Sequence, residues 1–235
     1  MKRVSRFLAM AQLFSLACPM IALAQQPSRG VQRVRAVSSR PVTRALPSVI
    51  VLDMNGDGVS LEGSTRTSLL TGGPVSARWT SAGGDEAFLM VDATSLRAAG
   101  VSLMNSSSEP LEGNQLFRDG LRVKDAAGAV SPTRDAAELL PVLDANGDGR
   151  VDASDPAWGS LRLFVDKNAD GTVNAGELSA MADARMGGLD ARIGDAAADA
   201  TADATADTAR RSRGDASFST ADGATRTMSS VATTP

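Results

Sequence analysis

The chain contains no histidine and no tyrosine, and its 235 residues include one cysteine, two tryptophans and six phenylalanines. The cysteine, Cys18, lies in an apolar N-terminal run, so nothing downstream of it carries a thiol. These absences exclude whole classes of chemistry. Zinc and copper sites built on imidazole or thiolate cannot form, which leaves hard cations held by oxygen. A Ser-His or Cys-His relay cannot form either, and beyond Lys2 the amines are Lys124 and Lys167 alone. A disulfide framework is ruled out even in an oxidising compartment. The expectation is a protein that is not an enzyme.

Charge narrows the field further. Twenty-four Lys and Arg stand against 27 Asp and Glu. Without Lys2, Arg3 and Arg6, 21 cations remain against those 27 anions, and the mature chain lies near −6. A nucleic-acid partner is not expected of that balance. Residues 1–24 place the three cations ahead of FLAMAQLFSLACPMIALA and close on Ala22-Leu23-Ala24. This is the order of a cleaved secretory signal, too short to persist as a membrane span. Cys18 suits a lipoprotein signal poorly, because Ser15 stands three residues before it. The sequence predicts a periplasmic or secreted monomer with no transmembrane segment once cleaved after Ala24.

Two flanks look unstructured. Residues 25–48 carry Arg29, Arg33, Arg35, Arg40 and Arg44 with no acidic residue, a basic linker whose charge would suit an anionic cell-envelope partner. From Asp183 the composition collapses towards Ala, Asp, Thr, Gly, Ser and Arg, and Asp195, Asp199, Asp203 and Asp207 recur every four residues. On a helix these carboxylates would form one like-charged stripe, unfavourable by about 0.2–0.5 kcal/mol per pair. Residues 186–235 are therefore expected to be a disordered tail, in which Arg213-Gly214-Asp215 is a chance tripeptide. The folded domain is placed at residues 49–185.

Within that domain Leu143 to Leu178 holds two oxygen-rich loops in tandem. The first puts Asp144, Asn146 and Asp148 at positions 1, 3 and 5, Gly149 at 6, Arg150 at 7, Asp152 at 9 and Asp155 at 12. The second repeats this with Asp166, Asn168, Asp170, Gly171, Thr172, Asn174 and Glu177. A calcium ion takes six to eight oxygens at ~2.3–2.6 Å, and such a loop supplies them from alternate side chains, the backbone carbonyl of position 7 and a carboxylate at 12. Position 6 must turn sharply, hence glycine. The apolar residues at position 8, Val151 and Val173, point away from the ion and can pair with each other. One such match could be an Asx-rich turn; two complete matches in tandem point to calcium.

A third loop opens at Asp53, Asn55, Asp57 and Gly58, but position 12 is Ser64. It is either a turn or a site completed by a carboxylate from elsewhere, with Asp85 and Asp92 as the candidates. Short apolar runs bounded by turn residues, such as SARWT, EAFLMVD and GVSLM, read as strands. Thr133 to Leu140 reads as a helix entering the Asp144 loop, and Asp155-Pro156 as the cap of a short helix leaving it. Ten residues between Asp155 and Asp166 leave no room for the two helices that join paired EF-hands. The fold class expected is α+β: a small irregular domain of short strands and short helices around tandem EF-hand-like loops, with a thin core anchored by Trp79, Phe88, Phe117, Trp158 and Phe164.

The succession VLDMNGDGVSL, Trp79, AFLMVD, NQLF and LDANGDGRVDASDPAWGSLRLFVDKNADGTVNAGEL resembles the calcium-binding EF-hand-like domain of bacterial secreted proteins, many of them associated with RTX-type exoproteins. The likeness spans about residues 49–181. It implies ligand roles for Asp144, Asn146, Asp148, Asp152 and Asp155, for Asp166, Asn168, Asp170 and Glu177, and a contribution from Asp53, Asn55 and Asp57. Where such domains carry a further loop, Asp92 is followed by ATSLRAAG, so that loop is lost; glycine-rich nonapeptide repeats are absent. The function implied is an exported calcium-binding protein that couples the ion to folding. Two alternatives remain: a dockerin-like, calcium-dependent interaction module, and a module that cleaves its own Asp155-Pro156 bond when calcium binds.

Overall fold

A computed structural model describes residues 45–191 and 212–235; the signal, the linker up to Arg44 and the repeated aspartates at 195–207 lie outside the described residues. The centre of the fold follows from two apolar runs. Ser48–Leu52 (β1) and Ala87–Asp92 (β4) bury residues on both faces: Val49, Ile50, Val51 and Leu52 are fully buried, as are Phe88 to Val91. An unbroken apolar run of this length fits an inner strand covered on both sides. The two strands pair antiparallel, Val51 opposite Phe88. Beyond β4 come Leu161–Phe164 (β10) and then Leu178–Ala180 (β11). Beyond β1 come Thr225–Ala232 (β14), Ser212–Thr220 (β13), Met186–Asp190 (β12) and Arg150–Val151 (β9). With Asn114–Leu116 (β6) added on β4 this makes a nine-stranded sheet, antiparallel throughout.

Alternation along β1 and β4 sends side chains into two cores. Ile50, Leu52, Leu89 and Val91 join Leu163, Phe117 and Phe218 on one face, where the short helix Ala93–Ala98 (α1) also packs through Leu96. Val49, Val51, Phe88 and Met90 join Trp79 and Phe164 on the other. That second face is covered by a hairpin of Gly63–Thr67 (β2) and Val75–Trp79 (β3). Trp79 stacks on Phe88 with ring centroids 4.2 Å apart, and Phe88 meets Phe164 at 6.0 Å. A small three-stranded sheet, Ser102–Met104 (β5), Arg122–Lys124 (β7) and Val130–Pro132 (β8), completes the described chain.

The α+β expectation is thus overturned: the fold is β-rich, and among the described residues the α-helices are α1, of six residues, and one turn at Leu140–Leu143 (α2). The 53 and 166 loops connect strands, whereas the 144 loop runs from α2 through β9 to a 3-10 turn. Pro141 stands at the head of α2 and Asp144 leaves the helical region at once, so the entering segment is a 3-10 turn at Ala136–Leu139 followed by that single turn. After the Asp144 loop only a 3-10 turn at Trp158–Ser160 precedes β10, and the Asp155 side chain caps no helix. A dockerin-like arrangement needs a longer helix after each loop, where this chain has a three-residue 3-10 turn after the 144 loop and strand after the 166 loop. Val151 does not pair with Val173: its partner is Leu189, across from β9 on β12.

The tail expectation also needs correction. Residues 186–190 form β12, and β13 and β14 form a hairpin whose inner strand lies directly against β1. Phe218 and Met228 are buried beside Ile50 and Leu52, so the core is thicker than the scarcity of aromatics implies. The physical signal was Thr220-Ala221-Asp222-Gly223 between two β-compatible runs; Gly223 takes φ +86° and donates its N–H to the Thr220 carbonyl. The Arg213-Gly214-Asp215 tripeptide lies within β13, where the register with β14 shifts. Of the expected aromatic anchors, Trp79, Phe88, Phe117 and Phe164 are fully buried and Trp158 is half-buried.

Candidate metal centre

All three Asp-x-Asn-x-Asp-Gly segments fold by the same local rule. The aspartate at position 1 curls back over the turn and accepts amide hydrogens from further along it. Asp53 takes Gly56 and Gly58 at 2.7 and 2.8 Å. Asp144 takes Gly147 and Gly149, both at 2.8 Å, and Asp148 at 3.2 Å. Asp166 takes Asp170 and Gly171 at 3.2 and 2.7 Å. The asparagine at position 3 accepts the amide of position 5 through Oδ1 in each loop, and its Nδ2 donates to the position-5 carboxylate at 2.9–3.1 Å. Short side chains that bond their own backbone a few residues on are what makes Asp and Asn turn formers.

The two tandem loops close on the same pair of amides, with the Asn146 amide adding a longer bond to Asp155 at 3.4 Å. Asp155 accepts the amides of Ala145 at 2.8 Å and Asp152 at 3.0 Å, those of positions 2 and 9. Glu177 does the same with Lys167 at 3.1 Å and Asn174 at 2.9 Å. Both carboxylates are buried. The shorter aspartate therefore serves the same closing role as glutamate. Position 5 accepts the amide of position 7 in both, Asp148 from Arg150 and Asp170 from Thr172. Position 9 differs. Asp152 accepts both the amide and the hydroxyl of Ser154, and that hydroxyl, with the amide behind it, holds its carboxyl below the usual range. Asn174 instead donates to Asp170, whose carboxyl is held low chiefly by this bond. The Arg150 guanidinium leaves the loop to donate to Ser219 at 2.7 Å.

The 53 loop has no carboxylate at position 12, and the chain supplies one from the strand entry before β4. Asp85 accepts the amide of Asn55 at 3.1 Å, and its carboxylate, with those of Asp53 and Asp57, forms a group whose ligand atoms all lie within 4.8 Å of one another. It is the one such acidic trio among the described residues. Asp53 in it is buried, Asp85 half-buried and Asp57 exposed. Three converging carboxylates plus the Asn55 amide oxygen are a hard donor set suited to calcium. Asp92, the other candidate donor, is spent elsewhere. It caps α1, accepting from the Ser95 hydroxyl and the amides of Thr94 and Ser95, which together keep its carboxyl low.

Sequence reading missed the residues that seat these loops. Trp79, expected only as a core ring, donates its indole N–H to Asp166 Oδ2 at 2.7 Å, inside a site where both side chains are fully buried. Thr67 donates its hydroxyl to the Gly171 carbonyl at 2.7 Å. Glu86, buried next to Asp85, accepts the Ser60 amide at 3.2 Å and the Thr80 hydroxyl at 3.0 Å. A buried indole must find an acceptor, which is the only hint the sequence offered of the Trp79 contact.

Among the described residues no helix is long and apolar enough to cross a membrane. Comparison with known proteins gives 27% identity over 147 residues to the iron-regulated protein FrpA of Neisseria meningitidis serogroup C. That match takes in 60% of this chain and 12% of the relative, so the chain corresponds to a small part of that protein's length. Residues 50–234 match the family model described as the SPM domain, a span that begins in β1, takes in all three loops and ends two residues past β14. The chain belongs to the SPM domain family.

Proposed function

We propose that this chain is an exported calcium-binding protein in which the 53, 144 and 166 loops take calcium and tie their ends to the central sheet. The observation that carries the reading is the convergence of Asp53, Asp57 and Asp85 to within 4.8 Å in the loop that lacks its own position-12 carboxylate. An Asx turn needs Asp53 and Asn55 alone; it gives no reason for a third carboxylate to arrive from 30 residues on at the loop's position-3 amide. The repeated bond pattern of the 144 and 166 loops supports the same role for Asp144, Asn146, Asp148, Asp152 and Asp155, and for Asp166, Asn168, Asp170, Asn174 and Glu177, with the Arg150 and Thr172 carbonyls at position 7. The basic N-terminal segment and apolar run support export, and extracellular modules of this kind bind at roughly 10⁻⁴–10⁻³ M.

Binding to the folded state alone raises stability in proportion to the logarithm of ligand excess, about 2.7 kcal/mol at a hundredfold over Kd. Calorimetric titration and thermal melting of the full chain with calcium, with magnesium as control, test this. Calcium is expected to bind and to raise Tm where magnesium does not. Asp148→Ala or Glu177→Ala is expected to weaken one site by tens-fold. No heat of binding and no change in Tm would remove the reading.

A further inference from the structure

The eight residues from the end of β3 at Trp79 to Glu86, just before β4, touch two of the three loops. At one end, Trp79 is fixed by its stack on Phe88 and donates to Asp166. In the middle, Gly83 at φ +77° turns the chain so that its N–H donates to the Lys167 carbonyl at 3.0 Å. At the far end, Asp85 accepts the amide of Asn55 and faces Asp53 and Asp57, while Glu86 accepts the amide of Ser60 and is itself held by Thr80. The 144 loop is seated differently: Gly149 offers its carbonyl to the Ala191 amide, and Val151 pairs with Leu189.

We infer that Trp79 to Glu86 is a strap through which cation occupancy of the 53 loop and of the 166 loop are coupled, with Trp79 the positioning residue for Asp166. This rests on the calcium reading above and goes beyond it by making two of the loops one unit. Hydrogen bonds to a metal-ligating carboxylate orient it and tune its basicity, and their loss typically weakens the site by ten- to a hundredfold. Asp166 has its Oδ2 taken by Gly171 and Trp79 and its Oδ1 by Asp170, so the direction in which it can offer a lone pair is set by where Trp79 stands. Where Trp79 stands is set by the strap, whose other end is drawn towards Asp53 and Asp57 when Asp85 shares a cation with them. Such coupling is reciprocal: whatever the 53 loop does for the 166 loop, the 166 loop does for it by the same factor.

The two tryptophans make this measurable. Trp158 lies beside the 144 loop, its amide bonded to the Asp155 carbonyl at 3.1 Å, so Trp158→Phe in the full chain leaves Trp79 as the sole emitter. Calcium is then followed by Trp79 emission and, in parallel, by calorimetry. Asp85→Asn and, separately, the exposed Asp57→Asn are expected to raise the calcium midpoint reported by Trp79 about fivefold or more, within the usual range of coupling between sites. Asp125→Asn, in the turn between β7 and β8, removes one negative charge away from both loops and is expected to leave it within twofold. Unchanged midpoints in both the Asp85 and Asp57 variants, or Trp79 emission unmoved by calcium that calorimetry shows bound, would overturn the coupling and leave the calcium reading intact. No calcium binding by calorimetry in the unmutated chain would overturn both.

Discussion

The 144 and 166 loops obey one sequence rule and one bond pattern, yet they sit in different surroundings. Asp144 is half-buried, and at Gly147 an added methyl group would meet nothing within 4 Å. Asp166 is fully buried, and a methyl group on Gly171 would lie 2.8 Å from Thr67 Cβ and 2.9 Å from Thr65 Cγ2. The first loop is held along its backbone by strand pairing with β12. The second is held from outside by side chains of the β2–β3 hairpin: Thr67 on Gly171, Trp79 on Asp166. Local chemistry thus fixes how such a loop folds, and tertiary packing fixes how far it can relax. In the 166 loop, geometry and hairpin must form together.

The sharpest way to break this contrast is to add one methyl group to each loop, at position 4 of the 144 loop, where the 166 loop already carries one on Ala169, and at position 6 of the 166 loop. Gly147 and Gly171 both adopt positive φ, +73° and +71°, so alanine costs about 1–2 kcal/mol of backbone strain at either. At Gly171 the methyl must also displace the hairpin. Gly171→Ala is expected to destabilise by roughly 3 kcal/mol or more, with overpacking adding about 1–3 kcal/mol to the strain, and Gly147→Ala by the strain alone. Urea unfolding of the two variants measures both; equal losses would mean that the hairpin yields freely and that the two loops differ less than their packing implies.

A smaller effect runs the other way. Position 4 is glycine in the 53 and 144 loops, Gly56 and Gly147, but alanine in the 166 loop, where Ala169 nonetheless sits at φ +56°. Ala169→Gly relieves left-handed strain of about 1–2 kcal/mol against an entropic cost of about 0.5–1 kcal/mol for glycine. A net gain of about 0.5–1 kcal/mol is expected in the same unfolding measurement. A loss would show that the tight seat of this loop already offsets the strain.

What could be read in the sequence divides along the same line. The loops were legible because Asp, Asn and Gly at fixed spacing dictate short-range bonds, and Asp155 and Glu177 close their loops within twelve residues. The central strands were legible from VIVL and AFLMV. What was not legible is long-range. Asp85 reaches Asn55 of the 53 loop from 30 residues on; nothing in the spacing chose it over Asp92, which turned out to cap α1. Helices were expected on either side of the 144 loop, over Thr133–Leu140 and after Asp155-Pro156, from apolar and capping residues, whereas the chain there forms 3-10 turns and the single turn of α2, and the 166 loop lies between β10 and β11. Composition misled most at the C-terminus: small polar residues disguised a hairpin whose few apolar side chains, Phe218 and Met228 among them, suffice to seat it beside β1.

The finest test of the loop comparison is acid. Asp152 in the 144 loop is held low first by the Ser154 hydroxyl, Asp170 in the 166 loop first by the Asn174 amide. A carboxyl whose folded pKa lies below its unfolded value, near 3.9, binds fewer protons when folded. Its stabilising contribution is full above the unfolded value and is lost as pH falls through the folded one. Ser154→Ala is expected to release Asp152 upward towards the ordinary range, and Asn174→Ala to do so for Asp170, each followed by carboxyl-carbon NMR titration without calcium. Stability near neutral pH should change little, because both groups are exposed enough for solvent to screen them. That small difference should be present in full above about pH 4 and close as pH falls below it. If Ser154→Ala leaves the Asp152 titration where it was, position 9 of the 144 loop is held by something other than its neighbour two residues on, and the symmetry between the loops would extend less far than their hydrogen bonds indicate.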